Sequence, residues 1–152
     1  MLSYIPAVPE DVPAIFRFCE ELIDRYEDLE TVDIPRAKAW TRRKIEDQIT
    51  GYRIILRDGE KAGYFHLIPG TLPGEEYELD DLYILPEFQG QGIGTEVIEH
   101  CIAESGGAGI FLYVFKENRR AVSLYEQIGF TVREIVGKTR LIMACPGKNT
   151  DF

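Results

Sequence analysis

A chain of 152 residues, 45% of them apolar, can bury a core without disulfide or metal staples, and one domain over residues 1–152 is expected. A formal net charge of −9 and a pI near 4.8 exclude nucleic acid as a general partner, because phosphate backbones are held by clustered Lys and Arg. No apolar run approaches the roughly 18 residues that cross a bilayer, and Met1–Pro6 lacks the basic and apolar regions of a signal peptide, so a membrane partner is not expected and the cytoplasm is the default location.

Leu2 to Ala7 reads as a first strand. From Glu10 onward, Val12, Ile15, Phe16, Cys19, Leu22, Ile23 and Tyr26 trace an amphipathic helix with Asp11 and Pro13 in its first turn. Its opposite face and exit carry Glu20, Glu21, Asp24, Glu27, Asp28 and Glu30, which read either as a solvated surface or as an attractor for a cationic ligand. Asp33 and Pro35 start a second helix, through about Gln48, whose apolar pattern is thin; it should be less buried than the first. Tyr52 to Arg57 and Ala62 to Ile68 are β-rich runs joined at Asp58-Gly59, a hairpin signal. Pro69, Gly70, Pro73 and Gly74 then make a loop before a central strand, Glu78 to Leu85.

After that strand comes Gln89-Gly90-Gln91-Gly92-Ile93-Gly94-Thr95, and apolar residues at Ile93, Val97, Ile98, Cys101 and Ile102 mark the buried face of a third helix. Glycines at alternate positions let backbone N–H groups converge, and the helix start behind them adds a positive end, which together suit a phosphate group. Gly94-Thr95-Glu96 has no lysine for a Walker loop, and Thr95 stands where a dinucleotide fingerprint starting at Gly90 needs glycine or alanine. Gly106 to Gly109 ends the helix, Ile110 to Phe115 is an apolar run suited to an interior strand covered on both faces, and a fourth helix follows. Phe130 to Val136 and Thr139 to Ala144 form a last hairpin about Gly137-Lys138, and the residues from Pro146 read as a loose tail. The order is β-α-α-β-β-β-α-β-α-β-β, an α/β fold with helices on both faces of a mixed sheet.

Cys19, Cys101 and Cys145 are widely spaced, apolar in context and outside any CxxC, so buried reduced thiols are expected. His66 and His100 are the only histidines; no metal centre is expected, and both read as packing or surface residues.

Gln89, Gly92 and Gly94 resemble the Gln/Arg-x-x-Gly-x-Gly/Ala loop of the GNAT family of N-acetyltransferases. Asn118, Ala121, Leu124, Tyr125, Gly129 and Phe130 look like that family's Asn-x-x-Ala-x-x-Leu-Tyr-x-x-x-Gly-Phe segment, in the expected order, and the resemblance is specific over about residues 78–131. It implies a GNAT-like, mostly antiparallel sheet and an acetyltransferase that uses acetyl-CoA as cosubstrate. Amides from Gly90 to Thr95 would hold the pyrophosphate, Leu82 and Ile84 would pair with the pantetheine arm across a splayed strand edge, and Asn118 would bond the cofactor. Lys116, Arg119 or Arg120 would meet the 3′-phosphate. The Ile84 N–H would polarise the thioester carbonyl, and Tyr125 would protonate the departing thiolate.

Asp80 corresponds to the general base of the spermidine/spermine acetyltransferase branch, with Glu78 as competitor on the same strand face. By simple alternation Asp80 should share a face with Leu82 and Ile84, and Asp81 should point to the other. No cysteine lies in either motif, so direct attack in a ternary complex is expected. The resemblance and the acidic first helix suggest a primary amine acceptor, small and cationic. A peptide or protein amine, a noncatalytic CoA-binding module and a homodimer stay open.

Overall fold

The structure, a computed structural model, describes residues 1–70 and 76–147. The elements are β1 (Leu2–Pro6), α1 (Val12–Tyr26), α2 (Ile34–Gln48), β2 (Tyr52–Arg57), β3 (Glu60–Pro69), β4 (Tyr77–Ile84), α3 (Ile93–Glu104), β5 (Gly109–Phe115), α4 (Arg119–Ile128), β6 (Thr131–Val136) and β7 (Arg140–Pro146). The order is the expected one. The strands form a seven-stranded sheet, β1-β2-β3-β4-β5-β7-β6, in which every pairing is antiparallel except β4 with β5. Among the described residues no helix is long and apolar enough to cross a membrane.

Local chemistry accounts for the element ends. Asp33 caps α2 by accepting the Arg36 N–H at 3.2 Å. Asp11 precedes α1 but turns its carboxylate back to the Val8 N–H at 2.9 Å, and a short 3-10 turn over Pro9–Asp11 leads into the helix. Asp58 and Gly59 both take positive φ, 51° and 87°, the geometry that lets a two-residue turn follow the twist of β2 and β3.

The sheet separates two cores. On one face α1 and α2 bury Val12, Ile15, Cys19 and Ile45 against Tyr52, Ile54 and Tyr64; on the other, α3 and α4 bury Val97, Ile98, Cys101 and Tyr125 against Phe65, Leu112 and Met143. Burying side chains such as Ile45 or Ile98 contributes about 1.5–3 kcal/mol each. α2 buries only Ile45, whereas α1 buries Val12, Ile15, Cys19 and Ile23, so the thin pattern of α2 was informative.

Several expectations need correction. β5 is covered on both faces except at one position: Ile110, Leu112 and Val114 pack under α3 and α4 and Phe111 is buried with Ile142 and Ala144 on the other face, but Tyr113 is 46% exposed. The last strand runs on through Pro146, which pairs with Gly109, and residues 148–152 lie outside the described residues, as do Pro73 and Gly74 of the expected loop. Cys19 and Cys101 are buried free thiols, while Cys145 is only half-buried. His66 is 1% exposed, its ring stacked on Tyr52 at 4.1 Å.

The most consequential difference is a β-bulge. Opposite β3, His66 pairs with Asp81 and Leu67 with Leu79, so Asp80 is the extra residue of β4. Two successive residues then lie on one side of the sheet. Asp80 reaches His66 and Lys44, and Asp81 reaches Tyr52 and Lys44, all on the α1/α2 side. Leu79, Leu82 and Ile84 pack into the opposite core. Asp80 therefore does not share a face with Leu82 and Ile84, and Asp81 does not point away from Asp80.

Candidate active site

The turn into α3 contains two residues in left-handed backbone, Gly90 (φ 79°) and Gly92 (φ 78°), the latter capping the helix without a side-chain partner. The first amides of α3 are thereby left to face a ligand. Gly94 serves a different purpose: a Cβ there would stand 3.0 Å from the Leu124 side chain, so its absence lets α3 and α4 close together. Gln89 donates from Nε2 to the Ile84 carbonyl at 2.9 Å, tying the loop to the end of β4. Gln91 turns the other way, accepting from Arg57 of β2 at 2.7 Å. Gln89, Gly90, Gly92, Ile93, Gly94 and Thr95 line one cleft, whereas Gln91 does not.

That cleft continues along a gap in the sheet. β4 and β5 pair only at Tyr77–Ile110 and Glu78–Phe111, and beyond that point they part. The Leu85 N–H donates to the Ala62 carbonyl at 2.8 Å. Antiparallel alternation then places Tyr64 and Tyr83 in the next hydrogen-bonded pair, so Leu82 and Ile84 direct their N–H and C=O groups away from β3, toward the gap. The Ile84 carbonyl is taken by Gln89; its N–H and both polar groups of Leu82 suit an extended ligand chain laid in as an added strand.

Two cavities meet at the gap. The one on the loop side has a volume of about 700 Å³, and the one beneath α1 and α2 about 400 Å³. Leu22, Leu82, Asn118, Ala121 and Tyr125 line both. Tyr125 projects from α4 into this junction, nearly buried and 5.7 Å from the Phe130 ring. Burial, followed by Asp81 and Cys101, pushes its phenol well above the usual range, so it stays protonated and can donate. Asn118 caps α4 through its carbonyl oxygen, which accepts the Ala121 N–H at 3.4 Å and leaves the NH₂ group as a donor into the junction. Arg120 also lines the larger cavity; Lys116 and Arg119 do not.

Under the smaller cavity lies a polar network. Lys44 of α2 donates to Asp80 at 2.8 Å and to Asp81 at 3.2 Å, His66 Nδ1 stands 2.8 Å from Asp80, and the Tyr52 hydroxyl donates to Asp81 at 2.6 Å. Burial works to raise the Asp80 carboxyl, but His66 and Lys44 outweigh it and hold the group below the usual carboxylate range. Asp81 goes the other way: burial raises it, and neighbouring Asp80 adds to that against the pull of Lys44. Burial also opposes the charge of Lys44, yet Asp81 and Asp80 prevail and its pKa is raised. One ammonium thus serves two carboxylates, of which Asp80 is the stronger acid. Burial, with Asp81 close by, pushes the Cys19 thiol up to about 12, so it stays a thiol 3.5 Å from the Tyr64 hydroxyl.

Glu78 lies two residues before Asp80 and lines the same cavity. Burial, then Asp80, raises its pKa, and among the described residues no cation stands within salt-bridge distance of it. The acidic face of α1 contributes little to either cavity. Lys38 bridges Glu20 and Asp24 at 3.4 and 2.7 Å, Arg140 holds Glu27 at 2.7 Å, Asp28 accepts from Thr31, and only Glu21 of that set lines a cleft, the one on the loop side.

Lys44, Tyr52 and His66 were not singled out from the sequence. Lys44 sits in a polar helix with nothing to distinguish it from a surface lysine. His66 carried a faint signal, one titratable residue inside the run Tyr64-Phe65-His66-Leu67-Ile68.

A family model described as the Acetyltransferase (GNAT) family matches residues 15–130. The chain belongs to that family. This GNAT chain is 37% identical over 70 residues to thialysine N-epsilon-acetyltransferase from Mus musculus, covering 44% of the chain and 41% of that protein. It is 34% identical over 110 residues to mycothiol acetyltransferase from Streptomyces griseus, covering 68% of the chain and 33% of that protein. The chain thus spans less than half the length of these curated relatives. Its fold superposes on the PaiA N-acetyltransferase of Thermoplasma acidophilum, crystallised in complex with coenzyme A, with a TM-score of 0.71 at 18% identity over 96% of this chain and 99% of that one. The mixed, mostly antiparallel GNAT sheet expected from the sequence is the one observed.

Proposed function

We propose that the protein is an acetyl-CoA-dependent N-acetyltransferase that passes an acetyl group to a primary amine by direct attack. The observation that carries this reading is the opening between β4 and β5, with glycine-loop amides on one side, a carboxylate-bearing cavity on the other and Tyr125 between them. The chain fits the cosubstrate: left-handed glycines expose the amides for a diphosphate, and a free strand edge accepts an amide-bearing arm. When bound, acetyl-CoA supplies an activated acyl thioester. The Ile84 N–H is the donor offered to the acyl oxygen as charge builds there.

The acceptor amine arrives as an ammonium, with a solution pKa of about 10.4 if it resembles lysine, and must lose a proton before attack. Of the three carboxylates on β4, we assign that role to Glu78, since Asp81 is held by Tyr52 and Lys44. Asp80 is engaged by both Lys44 and His66 and is a weakened base, whereas the raised pKa of Glu78 brings it nearer the proton it must take. The proton passes from ammonium to the Glu78 carboxylate, the N–C bond forms as the C–S bond breaks, the Tyr125 phenol protonates the departing thiolate, and the second proton shed by the acylated nitrogen restores the phenol. The relative named for thialysine Nε-acetyl transfer supports an amine as acceptor.

CoA release from acetyl-CoA with pooled primary amines tests the reading, and tight cofactor binding without turnover on any amine would replace it with a CoA-binding module. Glu78→Gln is expected to lower kcat/KM by about 100-fold. In the wild type the rate should fall as pH drops through the Glu78 pKa, with the acid limb above the ordinary glutamate range; in the variant that limb should vanish. Gly92→Ala forces alanine into left-handed backbone at a cost of about 1–2 kcal/mol. Calorimetry should therefore show CoA affinity weakened by about tenfold.

A further inference from the structure

We propose that the acceptor is a monoamine on a flat apolar arm, gripped at the cavity mouth by Trp40 of α2 and Tyr113 of β5, and not a polyamine; this rests on the acetyl-transfer reading above. The charged groups of the smaller cavity are Lys44, Glu78, Asp80, Asp81 and Arg140. Lys44 bridges both aspartates, and His66 Nδ1 occupies Asp80 as well. Arg140 is bound to Glu27 and lies 5.1 Å from the Phe115 ring centroid. That leaves one carboxylate, Glu78, without a cation among the described residues, and hence a place for one ammonium. A second cation on the same ligand would have to compete with Lys44 for the aspartates, since among the described residues the cavity holds no other carboxylate free to pair with it.

The rest of the cavity is mostly apolar or aromatic, with Thr41 and Asn118 its uncharged polar members. Trp40 is 66% exposed and Tyr113 46% exposed, and both line it together with Leu22, Ile23 and Phe115. Trp40 and Lys44 are four residues apart on α2, hence on one helix face, so the indole stands over the same cavity as the buried ammonium. Phe111, Tyr113 and Phe115 alternate along one face of β5; Phe111, which pairs with Glu78, is buried, and Tyr113 and Phe115 line the cavity. Tyr113 lies two residues beyond Phe111 on the same strand face, so the carboxylate and the exposed ring stand on adjoining strands beside one cavity. An aromatic arm would bury indole and phenol surface that is otherwise left in water.

Steady-state kinetics with 2-phenylethylamine and spermidine provide the test. We expect kcat/KM to favour 2-phenylethylamine by at least about tenfold, and Trp40→Ala to raise its KM by about tenfold with kcat retained and the spermidine values unchanged. Trp40 is the chain's single tryptophan, so its fluorescence reports binding without turnover: with CoA present, 2-phenylethylamine should perturb the emission and spermidine should not. A preference for spermidine, or a Trp40→Ala variant with an unchanged KM for 2-phenylethylamine, would overturn the inference and leave the transferase reading standing. Absence of acetyl transfer to any amine would overturn both.

Discussion

Tyr125→Phe should lower kcat by about 10²- to 10⁴-fold, the range a positioned general acid supplies, while leaving the dissociation constant for acetyl-CoA within about twofold. The hydroxyl sits where the two cavities join, and burial keeps it protonated, so under the proposed mechanism the variant loses the proton donor for the leaving group. Packing should change little, because the ring and its contact with Phe130 remain. Thermal unfolding of the variant should match the wild type. A purely structural tyrosine would give the reverse pattern, with activity retained and stability reduced. Leaving-group dependence separates the cases further: an acyl donor whose thiol is more acidic needs less protonation and should recover part of the lost rate in the variant alone.

Lys44→Met should destabilise the fold by about 3–5 kcal/mol at neutral pH, the cost of leaving a buried carboxylate pair without its cation. Lys44, Asp80 and Asp81 have side chains only 15%, 14% and 20% exposed, so solvent screens them poorly. The pH dependence carries the sign. In the wild type Asp80 is a stronger acid folded than unfolded, so its contribution is present above the unfolded carboxylate pKa and is lost as pH falls through the depressed value. Asp81, raised by burial and by Asp80, behaves oppositely: its ionisation works against folding, and acid relieves that cost. Removing Lys44 raises both folded-state values. The deficit of the variant should therefore be largest near neutrality and shrink as pH falls toward 4, where protonation discharges the pair. Urea unfolding at the two pH values measures it, and a deficit that grew on acidification would contradict the network described.

The element order, the Asp58-Gly59 hairpin, the glycine turn into α3 and the Asn118 and Tyr125 segment were all legible in the residues themselves. Each depends on neighbours close along the chain: apolar spacing reports a helix face, and positive φ selects glycine at a turn. The acidic α1 face misled for the same local reason. Its charge was visible, while the cations that answer it, Lys38 and Arg140, come from other elements.

What only the tertiary structure decided is the position and electrical state of the carboxylates in the smaller cavity. A bulge at Asp80 is a property of how β3 and β4 register, and strict alternation along one strand cannot reveal that two adjacent aspartates lie on the same side. Lys44 and His66 lie 36 and 14 residues from Asp80 in the chain, and only folding makes them its partners. Whether a carboxylate is a free base or a spent partner depends on such long-range contacts, since protonation answers to burial and to neighbouring charge in space. The amino-acid order thus determined the scaffold and the glycine loop, and the packing of α2 over the sheet determined which acids among the described residues have a cation beside them and which do not.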